Sequence, residues 1–139
     1  MKPLNKFDFP KTWLELVSLK SKLSHCGPNL VRYDDDLSFY QQYIQQVPLD
    51  IRLKILDKSI GKGDIRLCRN AFPYLKLIQH LDGVVHYCLW SRIGKLSPKT
   101  IEAKIKSKFP GKDFFWFENS PTTKSIPQVW HCQVFIKLK

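Results

Sequence analysis

The hydrophobic period of this chain changes once, at Gly61-Lys62-Gly63, and that change constrains the fold more than any other feature. Before it, apolar residues recur at helical spacing. Trp13, Leu16, Val17 and Leu23 form one stripe, with Pro10 at its start, Asp8 as a candidate cap and Gly27-Pro28 as its stop. Asp34-Asp35-Asp36 then precedes Leu37, Tyr40, Tyr43, Ile44 and Val47. Acidic residues at a helix start take up free N–H groups and favour the dipole. Three adjacent carboxylates there point in different directions, so a cap is expected rather than a metal site. A third helix is expected from Pro48 to about Lys58. The glycines that end it lack the spacing and the hydroxyl of a phosphate-binding loop.

After Gly63 the pattern is that of strands. Asp64–Asn70 alternates, Val84–Ser91 is β-branched and aromatic, and Phe114–Glu118 and Gln128–Leu138 follow. Between the second and third runs, Ser97-Pro98 starts a helix with Ile101, Ile105 and Phe109 on one stripe and Lys99, Lys104, Lys106 and Lys108 around the rest. The order is α-α-α-β-β-α-β-β. Short links between four strands predict an α+β fold, with the N-terminal helices packed on a mostly antiparallel four-stranded sheet and the helices on one side. No long linker interrupts the chain. The expectation is one domain over 1–139, helical over 1–60 and sheet-bearing over 61–139.

Composition narrows the function classes. Of the 139 residues 43% are hydrophobic, which excludes bulk disorder. No apolar run reaches the ~18 residues of a membrane span. No secretory leader is read at the N-terminus, so an intracellular location, cytoplasmic or nuclear, is expected. Cys26, Cys68, Cys88 and Cys132 form no C-x-x-C pair, which argues against zinc and thioredoxin-like sites. Cys88 and Cys132, inside strand-like runs, read as small buried hydrophobes. The net charge is +11, and residues 61–139 carry 14 basic against 5 acidic residues. Such an excess points to an anionic ligand, nucleic acid or an acidic protein surface; the plainer reading is a solvated lysine surface.

Two of the four histidines stand out. His25 and His80 fall at helix ends or loops, whereas His86 and His131 lie early in strong strands, each in a His-x-x-aliphatic-aromatic word. Neighbouring strands would turn both toward one cleft. In the last strand Trp130, Cys132, Val134 and Ile136 share a face that reads as core. His131, Gln133, Phe135 and Lys137 share the other, which mixes polar and aromatic groups as a binding surface does. The parity of the earlier strand is ambiguous, since His86 shares its face with Val84, Cys88 and Trp90. Two-histidine phosphoesterases use His-x-Ser/Thr, and the matching positions here are Cys88 and Gln133. A metal site would need a third ligand, and Cys132 points away from His131. The loop Asn119–Pro127 is rich in hydroxyls and amides, and its Lys124 and Ser125 suit an anion. Most of the aromatics, including Trp13, Trp90, Trp116 and Trp130, are expected in the core rather than as base-stacking platforms.

Four words in the sheet-bearing half occur in order: Asn70-Ala71-Phe72-Pro73-Tyr74, His86-Tyr87-Cys88-Leu89-Trp90-Ser91, Phe115-Trp116-Phe117-Glu118-Asn119 and Lys124-Ser125-Ile126-Pro127-Gln128-Val129-Trp130-His131. They resemble the family of the fungal N-acetylglucosamine-induced protein, a domain of unknown function also found in bacteria and large DNA viruses. Its pattern runs N-x-F-P-Y, H-x-x-x-W-S, W-F-x-N-P and S-I-P-x-x-x-H-x-H-V-F, and the likeness spans about residues 64–136. The chain departs from it at Ser120, where members often carry Pro, and at Gln133, where they often carry a second His. The resemblance implies a shared fold and a shared polar cluster of His86, Trp90, Asn119, Ser125 and His131. It implies no known reaction.

Three functions follow as expectations. The first is binding of a phosphorylated ligand, nucleotide or nucleic acid by Trp90, Asn119, Lys124, Ser125 and Gln133 with the two histidines. The second is a phosphoester hydrolase or transferase with His86 and His131 as general acid and base. The third is a basic interaction module without a small-molecule site. No cofactor motif, metal site or membrane contact is expected. A His131 buried in apolar packing would count against both site readings.

Overall fold

The computed structural model describes residues 9–25, 35–61, 63–71, 73–75, 77–118 and 129–139. Its helices are α1 (Trp13–Ser18), α2 (Lys20–His25), α3 (Asp35–Gln46), α4 (Leu49–Ile60) and α5 (Pro98–Lys108). Its strands are β1 (Ile65–Arg69), β2 (Val84–Ser91), β3 (Asp113–Phe117) and β4 (Trp130–Lys137). The strands form an antiparallel sheet in the order β1-β2-β4-β3, so the α+β class is as expected. None of the described helices is long and apolar enough to cross a membrane.

The first helical stretch differs from its expected form. Thr12, not Asp8, caps it: the Thr12 hydroxyl accepts from the Glu15 N–H at 3.1 Å, and the Glu15 carboxylate accepts from the Lys11 N–H at 2.9 Å. This is capping-box chemistry, with Ser/Thr and Glu three residues apart. Asp8 itself lies outside the described residues. The stretch is also two helices rather than one. The Ser18 hydroxyl donates to the Glu15 carbonyl at 2.6 Å, and the Leu19 N–H turns back to Leu16 O at 3.0 Å. A serine bonded to its preceding turn loosens the helical ladder, and the break falls there. The next boundary follows Val47-Pro48, because the residue before a proline avoids helical backbone. Asp34 and the side chains of Asp35 and Asp36 lie outside the described residues.

The sheet is covered on both faces, not one. On one face Leu16 and Leu23 of α1 and α2, with Tyr74 and Leu77, meet Phe115, Phe117 and Phe135. On the other, Leu96 and Ile101 and Ile105 of α5 meet Leu67, Leu89, Cys132, Val134 and Ile136. A two-sided sheet needs strands apolar on both faces, and the six residues His131–Ile136 of β4 are all buried. All four tryptophans pack against these clusters or the smaller one formed by Leu56 and Ile60, as expected of core aromatics.

Two arginines fasten α4 to the sheet. Arg66 Nη1 donates to Ile60 O at 3.2 Å. Arg92 donates to Gly61 O at 2.9 Å, to Gly63 O, and to the Asp57 carboxylate at 3.2 Å. These guanidiniums satisfy carbonyls that a helix end leaves without partners, where the dipole also favours a cation. At the edge strand β1, Lys108 Nζ donates to Leu67 O at 3.0 Å and lies 5.2 Å from the Tyr87 ring. A lysine over an edge carbonyl blunts edge-to-edge pairing.

Because Ile105 is fully buried under α5, Ile105→Ala should lower stability by about 2–5 kcal/mol. Lys99→Ala on the same helix should change it by less than ~0.5 kcal/mol. Urea unfolding followed by tryptophan fluorescence checks both.

Candidate functional site

β2 and β4 are neighbours, and their register decides where the candidate residues meet. His86 stands opposite Phe135, Cys88 opposite Gln133 and Trp90 opposite His131. All six lie on the face covered by α1, α2 and α4, which resolves the ambiguous parity of β2. The two histidines therefore look the same way. They are also four residues apart along the sheet, about 13 Å at the usual strand rise, with Gln133 between them. That spacing is too wide for two imidazoles to bracket one phosphate. The face expected to be an open binding surface is closed: His86 is 3%, His131 4% and Gln133 5% exposed. The helices before Gly61 cover it.

His86 is held from every side. Its ring stacks on Phe135, with centroids 4.3 Å apart, and meets Tyr74 at 4.5 Å. The Tyr74 backbone N–H donates to Nδ1 at 3.1 Å. Nδ1 is thus the acceptor, and the ring proton sits on Nε2. Nε2–H donates to Gln133 Oε1 at 2.6 Å. The same oxygen accepts from Asn70 Nδ2 at 3.1 Å and from Cys88 Sγ at 3.4 Å. The 3.3 Å approach of Asn70 Nδ2 to His86 Nε2 sets two donors side by side, so the amide of Asn70 is served by Gln133. With Nδ1 and Nε2 both engaged, His86 has no lone pair to take a substrate proton. Gln133, expected to bind ligand, instead spends its carbonyl on three internal donors.

His131 is placed differently. Its ring stacks on Trp90 with centroids 4.2 Å apart, beside Leu56 and Ile60 of α4, which pack with Trp90. Nδ1 lies 3.2 Å from Val129 O, and since a carbonyl only accepts, Nδ1 carries the proton. In the neutral ring the lone pair is on Nε2. β3 last pairs at Phe117 with Gln133, so β4 continues past it through His131 toward Val129. Asn119, Lys124 and Ser125 lie outside the described residues. The structure therefore joins His86 with Gln133, and His131 with Trp90, as two separate groups on one sheet face.

The residues that sequence reasoning missed are Asn70, Tyr74 and Cys88. The signal was present, because Asn70 and Tyr74 are the first and last letters of the N-x-F-P-Y word. The word brings the Asn70 amide and the Tyr74 N–H to the same imidazole.

Cys68 stands opposite Cys88 on β1. Burial pushes the Cys68 thiol up, against opposing pulls from Arg66 and Lys108 and a hydrogen bond with Trp90. Among the described residues no cluster of three or more His, Cys, Asp or Glu is arranged to hold a metal ion.

No protein-family model and no curated protein matches the chain. A solved structure described as the crystal structure of HTC1 superposes with a TM-score of 0.62 at 18% identity, over 91% of this chain and 85% of that one. At that identity the likeness shows the fold alone.

Two outcomes follow from these contacts. Gln133→Leu keeps the volume but removes the oxygen that accepts from His86 Nε2, Asn70 and Cys88, and should cost about 1–3 kcal/mol in urea unfolding. A raised thiol pKa means less thiolate near pH 8, so iodoacetamide should label Cys68 in the folded chain more slowly than in the urea-unfolded chain. Peptide mass spectrometry reads the labelling.

Proposed function

We propose that this chain is a binding module for phosphate-bearing polyanions, and that its histidine cluster builds the fold rather than performing acid–base chemistry. The closed state of His86 carries this reading. General acid–base catalysis needs a nitrogen that can reach substrate and exchange a proton. Tyr74 and Gln133 occupy both nitrogens of His86, on a face roofed by helices. Catalysis by the His86–His131 pair would also have to act across about four strand residues.

Charge supplies the positive side of the argument. The sheet-bearing half holds a net +9, and a polyanion is the partner such an excess attracts. Nucleic acid, whose phosphates dominate affinity, fits better than a single phosphorylated metabolite, since no described candidate residue offers an open polar pocket. An intracellular setting, cytoplasmic or nuclear, belongs to the same reading. So does membership of the family of the fungal N-acetylglucosamine-induced protein: Asn70, Tyr74 and His86 of its first two words meet in one cluster, and His131 of its last word lies farther along the same sheet face.

A thermal-shift series on the whole chain tests the proposal. Inorganic phosphate, a mononucleotide, duplex DNA and duplex RNA are compared at about 50 mM and about 200 mM salt. A ligand that binds only the folded state raises the midpoint. The expected outcome is a rise with polymers at low salt that fades at high salt and survives in His131→Gln. Turnover of a nitrophenyl phosphate ester or a cyclic nucleotide, lost in a folded His131→Gln variant, would overturn it in favour of the phosphoesterase alternative.

A further inference from the structure

α5 presents a face unlike the rest of the described surface. Ile101 and Ile105 are buried against the sheet. At 100° per residue the opposite direction falls on Ala103 and Ser107, both exposed. Lys99 and Lys106 flank this ridge on one side and Lys104 on the other, all exposed. Glu102 is the one acid on the helix. Several other cations are engaged within the fold: Arg66 and Arg92 at the end of α4, Lys108 and Lys112 on backbone carbonyls, Lys95 with Glu118, and Lys139 with Asp82. Among the described residues, the ammonium groups of Lys99, Lys104 and Lys106 make no hydrogen bond or ion pair.

We propose that the outer face of α5 is a docking surface for B-form duplex DNA, its small ridge entering the major groove and its lysines meeting phosphates on both walls. The proposal rests on the polyanion reading and names its surface and partner. Three features favour it. First, the ridge is built of Ala and Ser, so the helix backbone can approach closely. Second, Lys99 and Lys106 lie seven residues apart, about 10 Å along the axis. Duplex DNA offers one charge per ~1.7 Å of its axis, so that row spans several phosphates, more than a mononucleotide supplies. Third, the exposed face carries no large apolar or aromatic residue. Protein interfaces depend on such anchors and are poor in lysine; phosphate binding needs none. The major groove of B-form DNA, ~12 Å wide, admits a helix. The deep, narrow groove of A-form RNA does not.

Fluorescence anisotropy of the whole chain tests this with a labelled DNA duplex, the matching single strand, an RNA duplex of the same length and polyglutamate. Salt is varied between about 50 and about 200 mM. The α5 triple variant is Lys99→Gln, Lys104→Gln, Lys106→Gln. A control triple, Lys11→Gln, Lys22→Gln, Lys54→Gln, removes equal charge from exposed positions just before α1, on α2 and on α4. Circular dichroism melting confirms that each variant is folded. The expected result is tightest binding to the DNA duplex, at least a tenfold loss in the α5 triple and little loss in the control. The slope of log affinity against log salt should fall by about 0.9 per contact removed, so by about 2–3 in the α5 triple. Glu102→Gln should strengthen binding. Equal losses in the two triples would overturn the α5 assignment and leave the polyanion reading standing. Preference for the RNA duplex, the single strand or polyglutamate would overturn the choice of partner. No binding of any nucleic acid by the wild type at low salt would overturn both readings.

Discussion

An imidazole removed from water must find a partner for each nitrogen, and the face of the sheet beneath α1 and α2 is organised around that demand at His86. The two partners come from opposite directions. The backbone N–H of Tyr74 arrives from the segment between β1 and β2, and the Gln133 carbonyl arrives from β4. Meeting both fixes the tautomer, the height of the β1–β2 connection and the register of β2 against β4. Gln133 Oε1 then gathers Asn70 from the end of β1 and Cys88 from β2. A one-residue slip would turn every side chain of β4 to the other face and strand three donors in a dry core. Stacking on Phe135, itself stacked on Phe115 at 5.1 Å, carries the same constraint across to β3. Hydrogen bonding and aromatic packing therefore specify one register between them.

Arginine and lysine serve the fold differently. Arginine, with a planar fork of donors, serves several carbonyls at once, and Arg92 reaches Gly61, Gly63 and Asp57 together. Those cations hold α4 to the sheet and are neutralised by the dipole they cap. Lysine is a point charge on a flexible stem; on α5 Lys108 reaches back to a carbonyl of β1, while Lys99, Lys104 and Lys106 stay at the surface. The same helix is anchored by Ile101 and Ile105, with Lys108 and Phe109 at its end, so its outward face can carry charge without cost to the core.

Much of this architecture was legible in the sequence because period reports burial directly. The exact bounds of β2, the α5 start at Ser97-Pro98 and the antiparallel character of a four-stranded sheet all follow from local pattern, whereas the strand order does not. Two things were not legible, and both are tertiary. Alternation along β4 separates its faces, but alternation with polar residues on one face reads as half-exposed, and only the N-terminal helices determine that both faces are covered. His131 and Gln133 therefore read as a surface when they are interior. The position of His86 depended on register, which no local word specifies. Asn70 stands in the N-x-F-P-Y word, but its partner Gln133, far away in sequence, became visible only when the strands were paired. The break at Leu19 had a local cause in Ser18, but a serine hydroxyl that bends a helix looks in sequence like one exposed to water.

The identity of residue 133 has a chemical consequence for the whole cluster. In the family the chain resembles, a second histidine often occupies this position. An imidazole there could accept a hydrogen bond through only one nitrogen, and only while that nitrogen stayed unprotonated. The glutamine carbonyl has no proton to gain in the neutral range and has room for several donors, three of which it holds here. Replacing a titratable acceptor by a permanent one removes a route by which pH would open the sheet. With a glutamine at 133, the joint between β1, β2 and β4 holds through three hydrogen bonds to an oxygen that does not titrate in the neutral range.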